Sequence, residues 1–178
     1  MVLAKCAPEK HPAVMVASMG RSGSTLVHHA VVAGIAEARF GPIWRLGEES
    51  VRVEAWKPEH TEFRAGVVYK THALPGSLPH DAEVRVIFVF GTASTAVLSV
   101  LSCVERISPE WVCLHFDHMN AQGTLIELPT RDVLRLEEQI DSWHTPGPQD
   151  VLAVKYDALW TNVDAISAFV RFEVRLPR

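Results

Sequence analysis

Short apolar runs alternate along this chain with longer segments in which apolar residues recur at helical spacing. The runs predict buried strands at 13–18, 66–72, 84–91 and 151–156. Helical patterns follow the first strand directly and recur at 92–106, 131–143 and 163–172. This alternation predicts an α/β fold, with a mostly parallel sheet flanked by helices.

Two segments interrupt the alternation. Residues 40–64 are charged and contain Trp44 and Trp56, and residues 107–130 contain Trp111. We expect both segments to lie as insertions over one edge of the sheet. The sequence has no internal repeat and no marked change of composition, so we expect a single domain over 1–178.

Charge and composition limit the classes of partner. The chain has 178 residues, of which 48% are hydrophobic and 21% charged, and its formal net charge is −4. A negative chain has no overall basic field for nucleic acid or for an anionic membrane. An anion site must therefore be built locally.

The cysteines and the apolar segments indicate the compartment. Cys6, Cys103 and Cys113 are too few and too widely spaced for a disulfide framework. Charged residues interrupt the N-terminal 18 residues, and no segment is long and apolar enough to span a bilayer. We expect a cytoplasmic protein; the oligomeric state stays open.

The segment "GRSGST" follows the first strand and leads into a helix. A strand, a glycine turn and a helix start direct free backbone N–H groups and the positive end of a helix dipole at one point. Gly20 and Gly23 allow a close approach, and Ser24 and Thr25 add hydroxyl groups. Arg21 is the cation of the turn. This pattern predicts a phosphate-binding loop, although a plain capped turn is the simpler alternative.

The loop departs from that of nucleotide hydrolases. Ser18 stands where the common motif has its first glycine, and Ser24 stands where it has lysine. We therefore expect an anion site that differs from that of a standard ATPase.

The segment "YKTHALP" ends the second predicted strand. Alternation along a strand places Lys70 and His72 on one side. Sites in open parallel sheets form at the carboxyl ends of strands, so both residues should emerge beside the loop. A histidine can remove a proton from a hydroxyl group, and a lysine can stabilise charge on a transferred group. A solvated strand end without chemistry is the alternative.

Together, "GRSGSTL", "KTHALP", a strand–helix unit with a serine in its helix, and "VLAVKYDAL" resemble the sulfotransferases. The resemblance implies a P-loop NTPase-like fold that binds 3′-phosphoadenosine 5′-phosphosulfate (PAPS). It also implies transfer of the sulfuryl group to a hydroxyl or amine of a small-molecule or glycan acceptor. No metal is expected, because protein cations and N–H groups suffice for a sulfuryl group.

The resemblance assigns roles to eight residues. His72 would be the general base, Lys70 would contact the sulfuryl oxygens, and Ser99 would contact the 3′-phosphate. The 5′-phosphosulfate would be held by Arg21, Ser22, Gly23, Ser24 and Thr25.

One family residue is missing. Eight residues before the serine, the family has an arginine that binds the 3′-phosphate, but this chain has Gly91 in "FVFGTASTAVLS". A lost charge-assisted contact removes roughly 1.5–3 kcal/mol, or about tenfold to a hundredfold in affinity. The family's later glycine-rich basic loop also has no counterpart in these residues.

Other functions compete with this interpretation. A binding or scaffold protein without catalysis would explain Gly91, and so would a P-loop kinase-like enzyme, since ATP has no 3′-phosphate. His115 and His118, with Cys103 and Cys113 nearby, suggest zinc, but their spacing is not a common zinc pattern. We expect these histidines to lie in the core or in an acceptor pocket.

Overall fold

The computed structural model describes residues 11–177 and contains a five-stranded sheet in which all neighbouring strands are parallel. The strands are β1 (Ala13–Ser18), β2 (Arg52–Glu54), β3 (Val68–Thr71), β4 (Val84–Phe90) and β5 (Asp150–Lys155). Their order is β2-β3-β1-β4-β5. The loop after β1 therefore leaves the middle of the sheet, between the ends of β3 and β4.

Helices cover both faces of the sheet. They are α1 (Ser24–Phe40), α2 (Trp44–Gly47), α3 (Ala93–Arg106), α4 (Pro109–His118), α5 (Leu136–His144) and α6 (Val163–Val170). Residues of α1 and α6 share one buried cluster with the sheet, and residues of α3, α4 and α5 share the other. The predicted α/β fold is confirmed.

The central strand shows why its sequence is continuously apolar. Val14 and Val16 belong to one core cluster, whereas Met15 and Ala17 belong to the other, and all four are fully buried. Because helices exclude water from both faces, neither set of alternating positions can be polar.

The two interrupting segments contain more regular structure than the sequence predicts. Residues 52–54 form the edge strand β2, and residues 109–118 form α4. The predicted helix at 131–143 begins instead at Leu136. Its start is set by the Asp132 carboxylate, which accepts N–H bonds from Leu136 (2.7 Å) and Glu137 (3.0 Å).

The structure bears only in part on the compartment. Cys103 is a buried free thiol and Cys113 an exposed one, whereas Cys6 and the first ten residues lie outside the described part. Within 11–177, every helix is too short or too polar to cross a bilayer. The cytoplasmic location stays a prediction.

Candidate functional site

Three residues of the loop between β1 and α1 adopt the left-handed backbone conformation. Gly20 (φ 76°), Arg21 (φ 50°) and Gly23 (φ 81°) all have positive φ. Successive N–H groups in such a turn form a concave anion site. A Cβ at Gly23 would also lie 2.4 Å from the Tyr156 ring, so glycine is required there for space as well as for conformation.

Hydroxyl groups of the loop point in different directions. The Ser22 hydroxyl is buried and donates to the Val89 carbonyl at 2.7 Å. Its side chain thus anchors the loop to β4, and its backbone N–H is the donor that remains for a ligand. The side chain of Ser24 is buried and that of Thr25 is exposed.

Lys70 reaches the loop from the neighbouring strand β3. Its ammonium donates to the Thr25 hydroxyl at 2.9 Å. Burial lowers the pKa of Lys70, and the Glu54 carboxylate partly opposes this shift. Lys70 makes no ion pair with any described residue, so its charge is available to an anion on the loop.

His72 follows directly after Thr71, the last residue of β3, and the contacts of its ring define its tautomer. Its Nδ1 atom is 3.1 Å from the Ser18 carbonyl and 3.0 Å from the Ser18 hydroxyl. Because a carbonyl only accepts, Nδ1 carries the proton and Nε2 keeps its lone pair. Burial, followed by the charge of His115, lowers the pKa of His72 to about 3. The side chain is therefore neutral near pH 7 and can accept a proton at Nε2.

Two tryptophan–histidine stacks form a wall beside His72. Trp56 stacks on His118, with ring centroids 4.0 Å apart, and its centroid is 5.2 Å from that of His72. Trp111 stacks on His115 at 5.0 Å. Burial and then the positive charge of Arg21 lower the pKa of His115 to about 4. The wall is aromatic, and its His115 ring is uncharged near neutral pH.

Arg21 extends from the loop toward α3. Its Nε–H donates to the Ser99 hydroxyl at 2.9 Å, and its guanidinium carbon lies 5.3 Å from the centre of the Trp111 ring. Arg21 has no ion-pair partner among the described residues. Its charge is thus held beside α3, the helix that follows β4, whereas Lys70 extends from β3.

All of these side chains line one cleft of about 890 Å³. The cleft brings together every site residue predicted from the sequence: Arg21, Ser22, Gly23, Ser24, Thr25, Lys70, His72 and Ser99. It also includes His115 and His118, which were expected in the core or in an acceptor pocket, and the further residues Trp56, Trp111, Lys155 and Tyr156. No spacing in the sequence links these residues to the loop, because they come from three separate segments.

The histidines of the cleft are not grouped with other potential metal ligands among the described residues. Within residues 11–177, no group of three or more histidine, cysteine, aspartate or glutamate side chains is arranged to hold a metal ion. Cys103 is buried in α3 and Cys113 is exposed on α4. His115 and His118 instead stack against tryptophans.

A known structure shares this architecture. Retinol dehydratase, a sulfotransferase, in complex with retinol and PAP is 14% identical, with a TM-score of 0.53, and the match covers 89% of this chain. A second structure, of retinol dehydratase with androsterone and inactive cofactor PAP, is 13% identical over the same share, with a TM-score of 0.46. No family model and no curated protein sequence matches the chain.

The first match defines the fold. This chain has the sulfotransferase fold, in a divergent form, and it spans 58% of the length of the retinol dehydratase chain.

Proposed function

We propose that this chain is a sulfotransferase that moves a sulfuryl group from PAPS to a hydroxyl or amine of a small-molecule or glycan acceptor. One observation carries the proposal. The conformationally constrained loop, a lysine without an ion pair and a buried neutral histidine line the same cleft at the carboxyl ends of β1 and β3.

The loop would hold the 5′-phosphosulfate. Its left-handed turn and the N-terminus of the 17-residue helix α1 supply N–H groups and a positive dipole end. Lys70, already bonded to Thr25, adds a full positive charge beside them. Adenine and ribose would occupy the cleft toward α3.

His72 and Lys70 would perform the transfer. The Nε2 lone pair of His72 takes the proton of the acceptor hydroxyl while the acceptor oxygen forms the new S–O bond. The bond between sulfur and the bridging oxygen of the 5′-phosphate breaks, and PAP leaves with the electron pair. Lys70 stabilises the negative charge that develops during this step.

Binding of the donor would also strengthen the base. Burial and neighbouring positive groups hold the pKa of His72 at about 3, which makes it a weak base. An anion on the loop favours protonated histidine and raises this pKa toward the working pH. The base is therefore most effective when the donor is in place.

A binding or scaffold protein on the same fold, without catalysis, is the second candidate, and Gly91 favours it because the position lacks the arginine that the resemblance implies. A kinase-like enzyme is less well supported, because Ser24, at the position of the usual lysine, is a short and buried side chain.

Titration calorimetry with PAP, PAPS and ATP, together with a turnover assay, distinguishes the three functions. The sulfotransferase proposal predicts tight binding of PAP and PAPS, weaker binding of ATP, and transfer to an acceptor. Preferred binding of ATP with Mg²⁺ would favour the kinase. Binding of PAP with no transfer to any of a broad panel of acceptors would favour the binding protein.

A further inference from the structure

Arg21 belongs to the anion loop in sequence, but its guanidinium lies on the other side of the cleft. β3 and β4 flank β1 on opposite sides. Lys70 approaches the loop from β3, whereas Arg21 bonds to Ser99 in α3, the helix that follows β4. The two cations are therefore separated across the central strand.

The contacts of Arg21 leave it able to bind a phosphate. Only Nε–H is used by Ser99, and the four N–H groups on the terminal nitrogens make no hydrogen bond to described residues. The Ser99 hydroxyl accepts this bond and can still donate its own proton. The Trp111 ring supports the guanidinium from one side. Together, Arg21 and Ser99 present several donors and one uncompensated positive charge.

The cleft has open space near Arg21 and Ser99, because Gly91 has no side chain to fill it. Gly91 lines the same cleft, and a Cβ built there meets only the Ser22 Cβ, at 4.0 Å. The sequence resemblance implies an arginine at this position and a 3′-phosphate between it and Ser99. Because Gly91 has no side chain, the positive charge next to Ser99 comes from Arg21.

We propose that Arg21, together with Ser99, binds the 3′-phosphate of the donor nucleotide and thereby replaces the arginine lost at Gly91. The inference rests on the proposed function and changes one role within it: Arg21 does not serve the 5′-phosphosulfate. The 5′ group is bound by the backbone of the loop and by Lys70.

Two nucleotides that differ only in the 3′-phosphate test this assignment: adenosine 3′,5′-bisphosphate (PAP) and adenosine 5′-monophosphate (AMP). Calorimetry on the wild-type chain should give PAP an affinity roughly tenfold to a hundredfold above that of AMP. In Arg21→Gln this ratio should fall toward one, mainly through weaker PAP binding. Ser99→Ala should reduce the ratio in the same direction.

Two other cations of the cleft provide the controls. Lys70→Gln should weaken PAP and AMP by the same factor and leave their ratio unchanged. Lys155 also lines the cleft, but it is paired with Asp157 at 2.9 Å, so Lys155→Gln should retain the wild-type ratio. Arg21 is exposed and Gln keeps much of its length, so thermal melting should show an unchanged fold.

The possible failures are distinguishable. Equal loss of PAP and AMP affinity in Arg21→Gln would place Arg21 at the 5′ group and overturn the inference alone. Equal affinities of the wild type for PAP and AMP would also overturn the inference, but the nucleotide site itself would remain supported. Absence of binding by either nucleotide would reject the inference and the proposed function together.

Discussion

The two sides of the cleft present their positive charge by different means. On the β3 side, Thr25, Lys70 and His72 lie against a loop whose shape is set by the backbone, and Lys70 and His72 are wholly or partly buried. On the β4 side, the charge depends on one exposed side chain, Arg21, held by Ser99. The backbone shape of the loop restricts the sequence at Gly20 and Gly23, where φ is positive. A charge carried by a long side chain can be supplied from a different position in the sequence.

The largest effect is expected at His72, which would show whether the β3 side is catalytic. His72→Ala should lower turnover by roughly 10²–10⁴-fold, because the acceptor proton loses its base. PAP affinity should change by only a few fold, since His72 contacts Ser18 and not the loop N–H groups. Steady-state kinetics and calorimetry on the same preparation measure both quantities. Retained turnover would remove His72 from the mechanism.

Substitutions at Gly23 and Gly91 allow a direct comparison of the two sides of the cleft. Gly23→Ala requires an alanine at φ 81° and moves Tyr156, so the free energy of unfolding should fall by about 1–3 kcal/mol. PAP affinity should fall at least about tenfold, because the cradle loses its shape. Gly91→Ala is the matched control and should change the free energy of unfolding by less than about 0.5 kcal/mol. Similar losses in both variants would show that the two sides do not differ in this way.

Restoring a side chain on the β4 side should have a moderate effect. In the Arg21→Gln background, Gly91→Arg should recover part of the preference for PAP over AMP, by roughly tenfold, since a second arginine then lies near Ser99. Calorimetry with both nucleotides measures the recovery. If the ratio stays at its Arg21→Gln value, the 3′-phosphate does not lie between positions 91 and 99.

The smallest effect concerns acid stability on the β3 side. His28 in α1 is fully buried, and neither ring nitrogen makes a hydrogen bond of ordinary geometry. Burial, then the charges of Lys70 and Arg52, lower its pKa to about 3. The unfolded chain binds a proton at His28 below about pH 6.5 and the folded chain does not, so the stability contributed by neutral His28 is lost as pH falls from there toward 3.

His28→Leu should remove this loss of stability at low pH. Between pH 7.5 and pH 5 its free energy of unfolding should decline less than that of the wild type, by about 1–2 kcal/mol. Urea unfolding at the two pH values measures the difference. His29 is the exposed neighbour, and His29→Leu serves as the control with a smaller change. Identical pH dependence in wild type and His28→Leu would contradict the assigned pKa.

Most of the fold was accessible from the sequence because most of its elements have a local cause. Continuous apolar runs mark strands that are covered on both faces, as in β1, β4 and part of β3. The start of α5 was not accessible, because Asp132 caps a helix whose periodic pattern begins earlier. The edge strand β2 was missed because its three residues pair only with β3.

By itself the sequence determined the α/β fold and the glycine loop, because hydrophobic period and positive φ are properties of a few neighbouring residues. Only the tertiary structure decided where the charges of the cleft lie. The direction of the Arg21 side chain depends on Ser99 and Trp111, which are 78 and 90 positions away in the sequence. Such contacts arise when the strands pack side by side, and no local pattern encodes them.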